Sequence, residues 1–89
     1  MCNIKFDELV FDHIVEFTND QTIFAAAREN GNGHLRLFLI NEQTGNVYTR
    51  NGRADSWEQL TDGDRDTIIA RVIAARTNIP TYKINGSHN

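Results

Sequence analysis

The segment NGNGHLRLFLINEQTGNVYTR, residues 30–50, decides the fold of this chain. Its middle, residues 34–41, has the pattern of a β-strand in which leucine occupies the first three odd positions and the even positions are mixed. Clusters rich in Asn and Gly lie on both sides, at 30–33 and 43–46, and such residues adopt the backbone of tight hairpin turns. The segment therefore predicts a central strand with an antiparallel neighbour on each side.

A third polar cluster, at residues 18–21, extends this pattern toward the N-terminus. The three clusters recur about every twelve residues, which is the usual spacing of a strand and its turn in a meander. The alanines of the segment IFAAAR also favour a helix, but its direct connection to the central strand through a tight turn favours a strand. We predict an antiparallel meander of about four strands, near residues 10–18, 22–29, 34–41 and 46–51.

The hydrophobic period after residue 52 is that of a helix. One main helix is predicted at about residues 62–77, and Pro80 follows its end. Ser56 to Gln59 has capping-box spacing and indicates a short helical turn. The apolar stripe of the main helix consists of Ile68, Ile69, Val72 and Ile73.

The two ends of the chain leave alternatives open. Residues 4–10 fit a short N-terminal helix, and residues 79–84 fit a short C-terminal strand. We expect an α+β fold in a single domain, residues 1–89, in which the helix covers the apolar face of the sheet.

Composition and charge narrow the classes of function. The chain has 89 residues and a net charge of −3, with 39% hydrophobic and 24% charged residues, as in a small acidic globular protein. Its single cysteine, Cys2, cannot form an internal disulfide, and acidic residues stand where a signal peptide needs an apolar run. We therefore expect a cytoplasmic protein that does not enter a membrane. The negative charge argues against direct nucleic-acid binding, which depends on basic residues.

The motifs that would require a metal, a cofactor or catalysis are incomplete. Asp62 to Asp66 resembles the start of a calcium loop, but the sixth and twelfth positions are Thr67 and Ile73 instead of glycine and glutamate. Acids here suit the first turn of a helix. The three histidines are not spaced as zinc ligands. We expect no catalytic residue, no metal site and no cofactor, and a protein that is not an enzyme.

Two sets of side chains on the predicted sheet are candidates for binding. Basic residues on neighbouring strands converge on an anion or nucleotide if they share a face, whereas another register divides them between faces and leaves them solvated. These are Arg28, His34, Arg36, Arg50 and Arg53. The second set lies on the sheet face away from the helix and suits contact with another protein or with a second copy of the chain. It consists of Phe38, Ile40 and Tyr48.

These features favour a small non-enzymatic protein-binding module that acts as an inhibitor or adaptor. Small acidic single-domain proteins of this kind are common products of phages and plasmids, where they block host enzymes or defence systems. The alternative is a small anionic-ligand or nucleotide-binding protein that uses the arginine-bearing sheet face.

Overall fold

A computed structural model describes residues 6–52 and 56–86 of the chain. A 3-10 turn, Phe6–Glu8, leads into a six-stranded sheet and one α-helix. No helix in these two ranges is both long and apolar enough to cross a membrane. In chain order the elements are β1 (Leu9–Phe17), β2 (Thr22–Glu29), β3 (Leu35–Asn41), β4 (Val47–Asn51), β5 (Glu58–Leu60), α1 (Asp62–Ala75) and β6 (Thr81–Ile84).

The strands lie in the order β5-β4-β3-β2-β1-β6. The first five form a continuous antiparallel meander, whereas β6 pairs in parallel with the outer edge of β1. The predicted α+β class is confirmed, and the meander is confirmed in part: its four predicted strands are present, including a strand and not a helix at 22–29. The sheet goes beyond the predicted meander of about four antiparallel strands, because it has six strands and β6 is parallel to its neighbour. The reason is that α1 carries the chain from β5 back across the sheet, and a crossover helix of this kind allows a parallel strand to be added.

The segment before α1 forms strand β5 and not the helical turn that its capping-box spacing indicated. Its three residues pair with residues 47–49 of β4. A sheet edge offers unpaired N–H and C=O groups, and pairing with that edge outweighs the weak local preference for a capped turn. α1 begins at Asp62 as predicted. It ends at Ala75, slightly earlier than predicted, because the N–H groups of Thr77 and Asn78 bond to carbonyls three residues back in a tighter turn.

The core lies between α1 and one face of the sheet. Ile68 and Val72 of α1 are buried against the strands. Ala25 and Ala27 of β2 are fully buried and small, so the helix can approach the sheet closely. Phe38 of β3 is also fully buried and fills the space beside them.

Two arginines of α1 attach the helix to β1. Arg76 donates from Nη2 to Oε1 of Glu16 at 2.7 Å, and both side chains are partly buried. Arg71 donates from Nη2 to the backbone carbonyl oxygen of Leu9. Because Leu9 and Glu16 lie toward opposite ends of β1, the two contacts fix the direction in which the helix crosses the sheet.

A β-bulge in β1 changes the faces expected for that strand. The residues on either side of Asp12 pair with consecutive residues of β2, so Asp12 is an extra residue with no partner in the register. Regular alternation would place Phe11 on one face with Val15 and Phe17, and Ile14 on the other. With the bulge, Phe11 and Ile14 both face α1 and are buried. Val15 and Phe17 lie on the opposite face.

Candidate functional site

Among the residues that the structure describes, α1 and the 3-10 turn cover one face of the sheet and no element covers the other. The 3-10 turn lies on the same side as α1, because the ring of Phe6 meets the ring of Phe38 edge-on at a centroid distance of 6.4 Å. In the part of the chain that the structure describes, no second layer lies on the opposite side of the sheet. We call this opposite side the open face.

The strand registers give the composition of the open face. Its central row runs across all six strands and is mainly apolar: Gln59, Tyr48, Leu39, Phe24, Val15 and Tyr82, from β5 to β6. The next row toward the β2–β3 turn contains Arg50, Leu37, Ala26 and His13. The row on the other side contains Asn41, Thr22, Phe17 and Ile84.

The large apolar residues of the open face are accessible to solvent, whereas the small Ala26 is buried between its neighbours. Those of the inner strands, such as Leu37, Leu39 and Phe24, are partly exposed. On the edge strand β6, Tyr82 is 58% and Ile84 is 46% exposed. An antiparallel sheet with a solvated face usually alternates apolar and polar residues, so that only the core face is apolar. A sheet that is apolar on both faces carries a contiguous patch, and patches of this kind mark interaction sites.

An aromatic groove of about 550 Å³ lies at the corner of the open face near β4 and β5. Its lining combines the rings of Tyr48 and Trp57 with the side chains of Asp20, Thr22, Leu39, Asn41 and Gln43. The guanidinium carbon of Arg50 lies 5.2 Å from the centroid of the Trp57 ring, a cation–π contact that orients the indole. Trp57 lies within Ser56 to Gln59, the segment whose capping-box spacing predicted a helical turn. It belongs to the open face because β5 is a strand and not a helical turn.

The predicted apolar set is divided between the two faces. Phe38 and Ile40 are 0% and 5% exposed and lie under α1, so their prediction as an exposed surface is wrong. Tyr48 lies on the open face as predicted. Both alternating sets of β3 contain large apolar residues, and hydrophobicity alone does not say which set faces the helix. The leucines of β3 therefore occupy the open face and Phe38 the core, the reverse of the prediction.

The predicted basic set is divided as well. Arg28 and Arg50 lie on the open face, because each is opposite a leucine of β3 that lies there. Arg36 lies on the face of α1, opposite Ala27. Arg53 lies outside the described residues. The register thus divides the arginines between faces, which was the alternative left open by the sequence.

Arg28 and His34 do come together. They line a cleft of about 270 Å³ at the turn between β2 and β3, together with Gly33, Leu35, Asn51 and Gly52. Arg28 donates from Nη1 to the carbonyl oxygen of Gly33 at 3.2 Å, which holds its guanidinium at this end of the open face. His34 is exposed in front of β3. This cleft is what remains of the predicted arginine site.

Sequence reasoning missed most of the open face. The missed residues are Val15, Phe17, Phe24, Leu37, Leu39, Trp57, Tyr82 and Ile84. Strand register is the signal that could have identified the inner ones. Once Ala25 is known to lie opposite Phe38 under the helix, Phe24 and Leu39 must lie together on the other face.

Metal-ligating groups and similarity to known proteins were the two remaining sources of information about this surface. Between residues 6 and 52 and between 56 and 86, no three His, Cys, Asp or Glu side chains are grouped so that they could hold a metal ion. The chain matches no protein-family model, no curated protein and no solved structure.

Proposed function

We propose that this protein is a small non-enzymatic protein-binding module that docks another protein on its open face. One observation carries the proposal: a contiguous and mainly apolar row spans all six strands on the side away from α1. An inhibitor or adaptor acts by binding another protein, and an apolar surface of this kind provides the contact area for that binding. We place its action in the cytoplasm. A chain with a single cysteine has no internal disulfide, and small domains without disulfides are typical of this reducing compartment.

The chemistry of the open face suits a protein partner. The centre of a protein interface is apolar and depleted of charge, with aromatic residues and arginine enriched. Leu37, Leu39 and Phe24 supply the apolar centre. Tyr48 and Trp57 supply aromatic contact area at one corner, and the groove beside them can accept a protruding side chain of the partner. Arg50 stands beside them at the edge of the apolar centre.

A matched pair of substitutions tests this function. Leu37→Glu puts a charge in the middle of the open face, and Ile73→Glu puts the same charge on the outer side of α1, where the side chain is 57% exposed. A partner captured by the wild-type chain should be lost with Leu37→Glu and kept with Ile73→Glu. Circular dichroism should show that both variants are folded. If the two variants capture the partner equally well, the open face is not the docking surface.

The cleft between Arg28 and His34 supports a second function, the binding of a small anion or nucleotide. A guanidinium group that is already oriented by the Gly33 carbonyl has donors left for a phosphate or carboxylate. We expect nucleotides or inorganic phosphate to raise the melting temperature of the protein and Arg28→Ala to remove the effect. Arg65→Ala, on α1, is the control because it removes the same charge elsewhere. An unchanged melting temperature of the wild type with every anion would rule out this function.

A further inference from the structure

We infer that the open face binds a second copy of this chain, forming a twofold-symmetric dimer in which the two sheets pack face to face with their strands antiparallel. The inference rests on the proposed function of the open face as a protein-docking surface, and it names the partner. Three features carry it: the size of the face, the position of its charges and the symmetry that these charges require.

The face is just large enough for a specific dimer. Strands lie about 4.8 Å apart and rise about 3.3 Å per residue, so the central row of six strands and the shorter rows beside it cover about 25 by 20 Å. Two such faces together bury about 1,000 Å², the lower limit for a specific protein interface. A dimer of this size should be reversible, with monomer and dimer both present at micromolar concentrations.

Opposite charges mark the two ends of the open face. Asp20 lies in the turn before β2 and lines the aromatic groove, which places this residue at one end of the open face. Arg28 lies near the other end of β2, also on this face. Phe24, in the central row, is midway between them in the chain, four residues from each. The face therefore has an acidic end, an apolar middle and a basic end.

This distribution selects one of the two symmetric ways to stack the faces. A twofold axis parallel to the strands brings like ends together and places Arg28 near its own copy, which is repulsive. An axis across the strands near Phe24 brings opposite ends together. Asp20 of each copy then lies against Arg28 of the other, and the contact occurs twice because the interface is isologous.

The spacing of packed sheets is compatible with this arrangement. Facing sheets lie about 10 Å apart, which an arginine and an aspartate can bridge from opposite sides. The central rows meet in the middle, so that Phe24 and Leu39 each pack against their own copies. Both sheets retain α1 on their outer sides, which gives a four-layer arrangement of helix, sheet, sheet and helix.

Exchanging the charges of Asp20 and Arg28 tests the proposed dimer. The mass of the full-length chain should be measured by sedimentation from low to high micromolar concentration, and the wild type should shift from monomer to dimer. Asp20→Lys alone and Arg28→Glu alone should each weaken dimerisation by about tenfold or more, because each places like charges against one another twice. The double variant carrying both changes should recover the dimer, since its charges are complementary again. Asp66→Lys, on α1, has the same charge change as Asp20→Lys and should dimerise like the wild type.

The sedimentation results test both the existence of the dimer and its antiparallel arrangement. A wild type that is monomeric throughout overturns the inference. A dimer that is indifferent to the single changes, or that the double change fails to restore, overturns the antiparallel arrangement. Circular dichroism of every variant shows whether loss of the dimer reflects unfolding, and recovery in the double variant excludes it. A monomeric protein that still captures another partner in a Leu37-dependent way would refute the dimer and leave the proposed function standing.

Discussion

The assignment of faces in β3 leads to the sharpest prediction about stability. Leu39 and Ile40 are adjacent, and alanine removes the same number of carbon atoms from each. Ile40 lies under α1 with 5% of its surface exposed, whereas Leu39 is partly exposed on the open face. Ile40→Ala and Leu39→Ala therefore form a matched pair. They differ in that α1 covers the first side chain and solvent reaches the second.

The expected losses follow from burial. Ile40→Ala removes three carbon atoms, worth about 2.4 kcal/mol at about 0.8 kcal/mol each, and the cavity that remains adds to this. The free energy of unfolding should fall by about 3–4 kcal/mol, a large share of the roughly 5–10 kcal/mol expected for a domain of this size. Leu39→Ala leaves no closed cavity because the site opens to solvent, and the expected loss is about 1–2 kcal/mol.

Urea denaturation followed by circular dichroism measures both losses. The protein concentration must be low enough for the chain to be monomeric, because dimerisation through the open face would add to the apparent stability. The slope of free energy against urea should match the wild type in both variants, so that midpoints can be compared. Equal losses, or a larger loss for Leu39→Ala, would mean that the leucines of β3 face the helix and that the faces are reversed.

Further predictions concern features of the fold away from the open face. In a double-mutant cycle, the Glu16–Arg76 pair should show a coupling of about 1–2 kcal/mol, and a coupling near zero would mean that it does not hold α1 in place. Gly63→Ala should raise the free energy of unfolding by about 0.5–1 kcal/mol, since the added methyl group meets no atom within 4 Å. Gly33→Ala should lower it by about 1–2 kcal/mol, because the new Cβ would lie 2.9 Å from the carbonyl oxygen of Glu29. Similar melting temperatures for the two glycine variants would contradict at least one of these predictions. Deletion of Asp12 should be tolerated within about 1 kcal/mol by chemical denaturation, whereas the same deletion in the middle of β2 should unfold the protein.

The elements that the sequence predicts well are those determined by local residues. The polar clusters correctly place the turns, so β2 has the predicted bounds, Thr22–Glu29. The start of α1 at Asp62 is correct because the apolar stripe and the acids of the first turn agree. These features depend on residues within a few positions of each other, and local backbone preferences and periodicity describe them directly.

The features that the sequence does not predict depend on distant pairing. β6 joins β1 across more than sixty residues of chain, and only the path of α1 determines that it does. β5 forms because β4 presents an edge, although its own sequence suits a helical turn. The face of β3 that becomes the core is set by the side on which α1 crosses. For this reason Phe38 and Ile40 were assigned to a surface that the three leucines in fact occupy.

The bulge at Asp12 links the core to the candidate site. In a regular strand, Phe11 would share a face with Val15 and Phe17 and would leave the core. Its ring lies 5.7 Å from that of Phe38, so the core would lose an aromatic contact beneath α1. With one extra residue, the part of β1 before the bulge supplies Phe11 to the core, and the part after it supplies Val15 and Phe17 to the open face. The same offset that completes the core therefore also makes the outer side of β1 apolar, and this extends the apolar surface of the open face from β4 as far as β6.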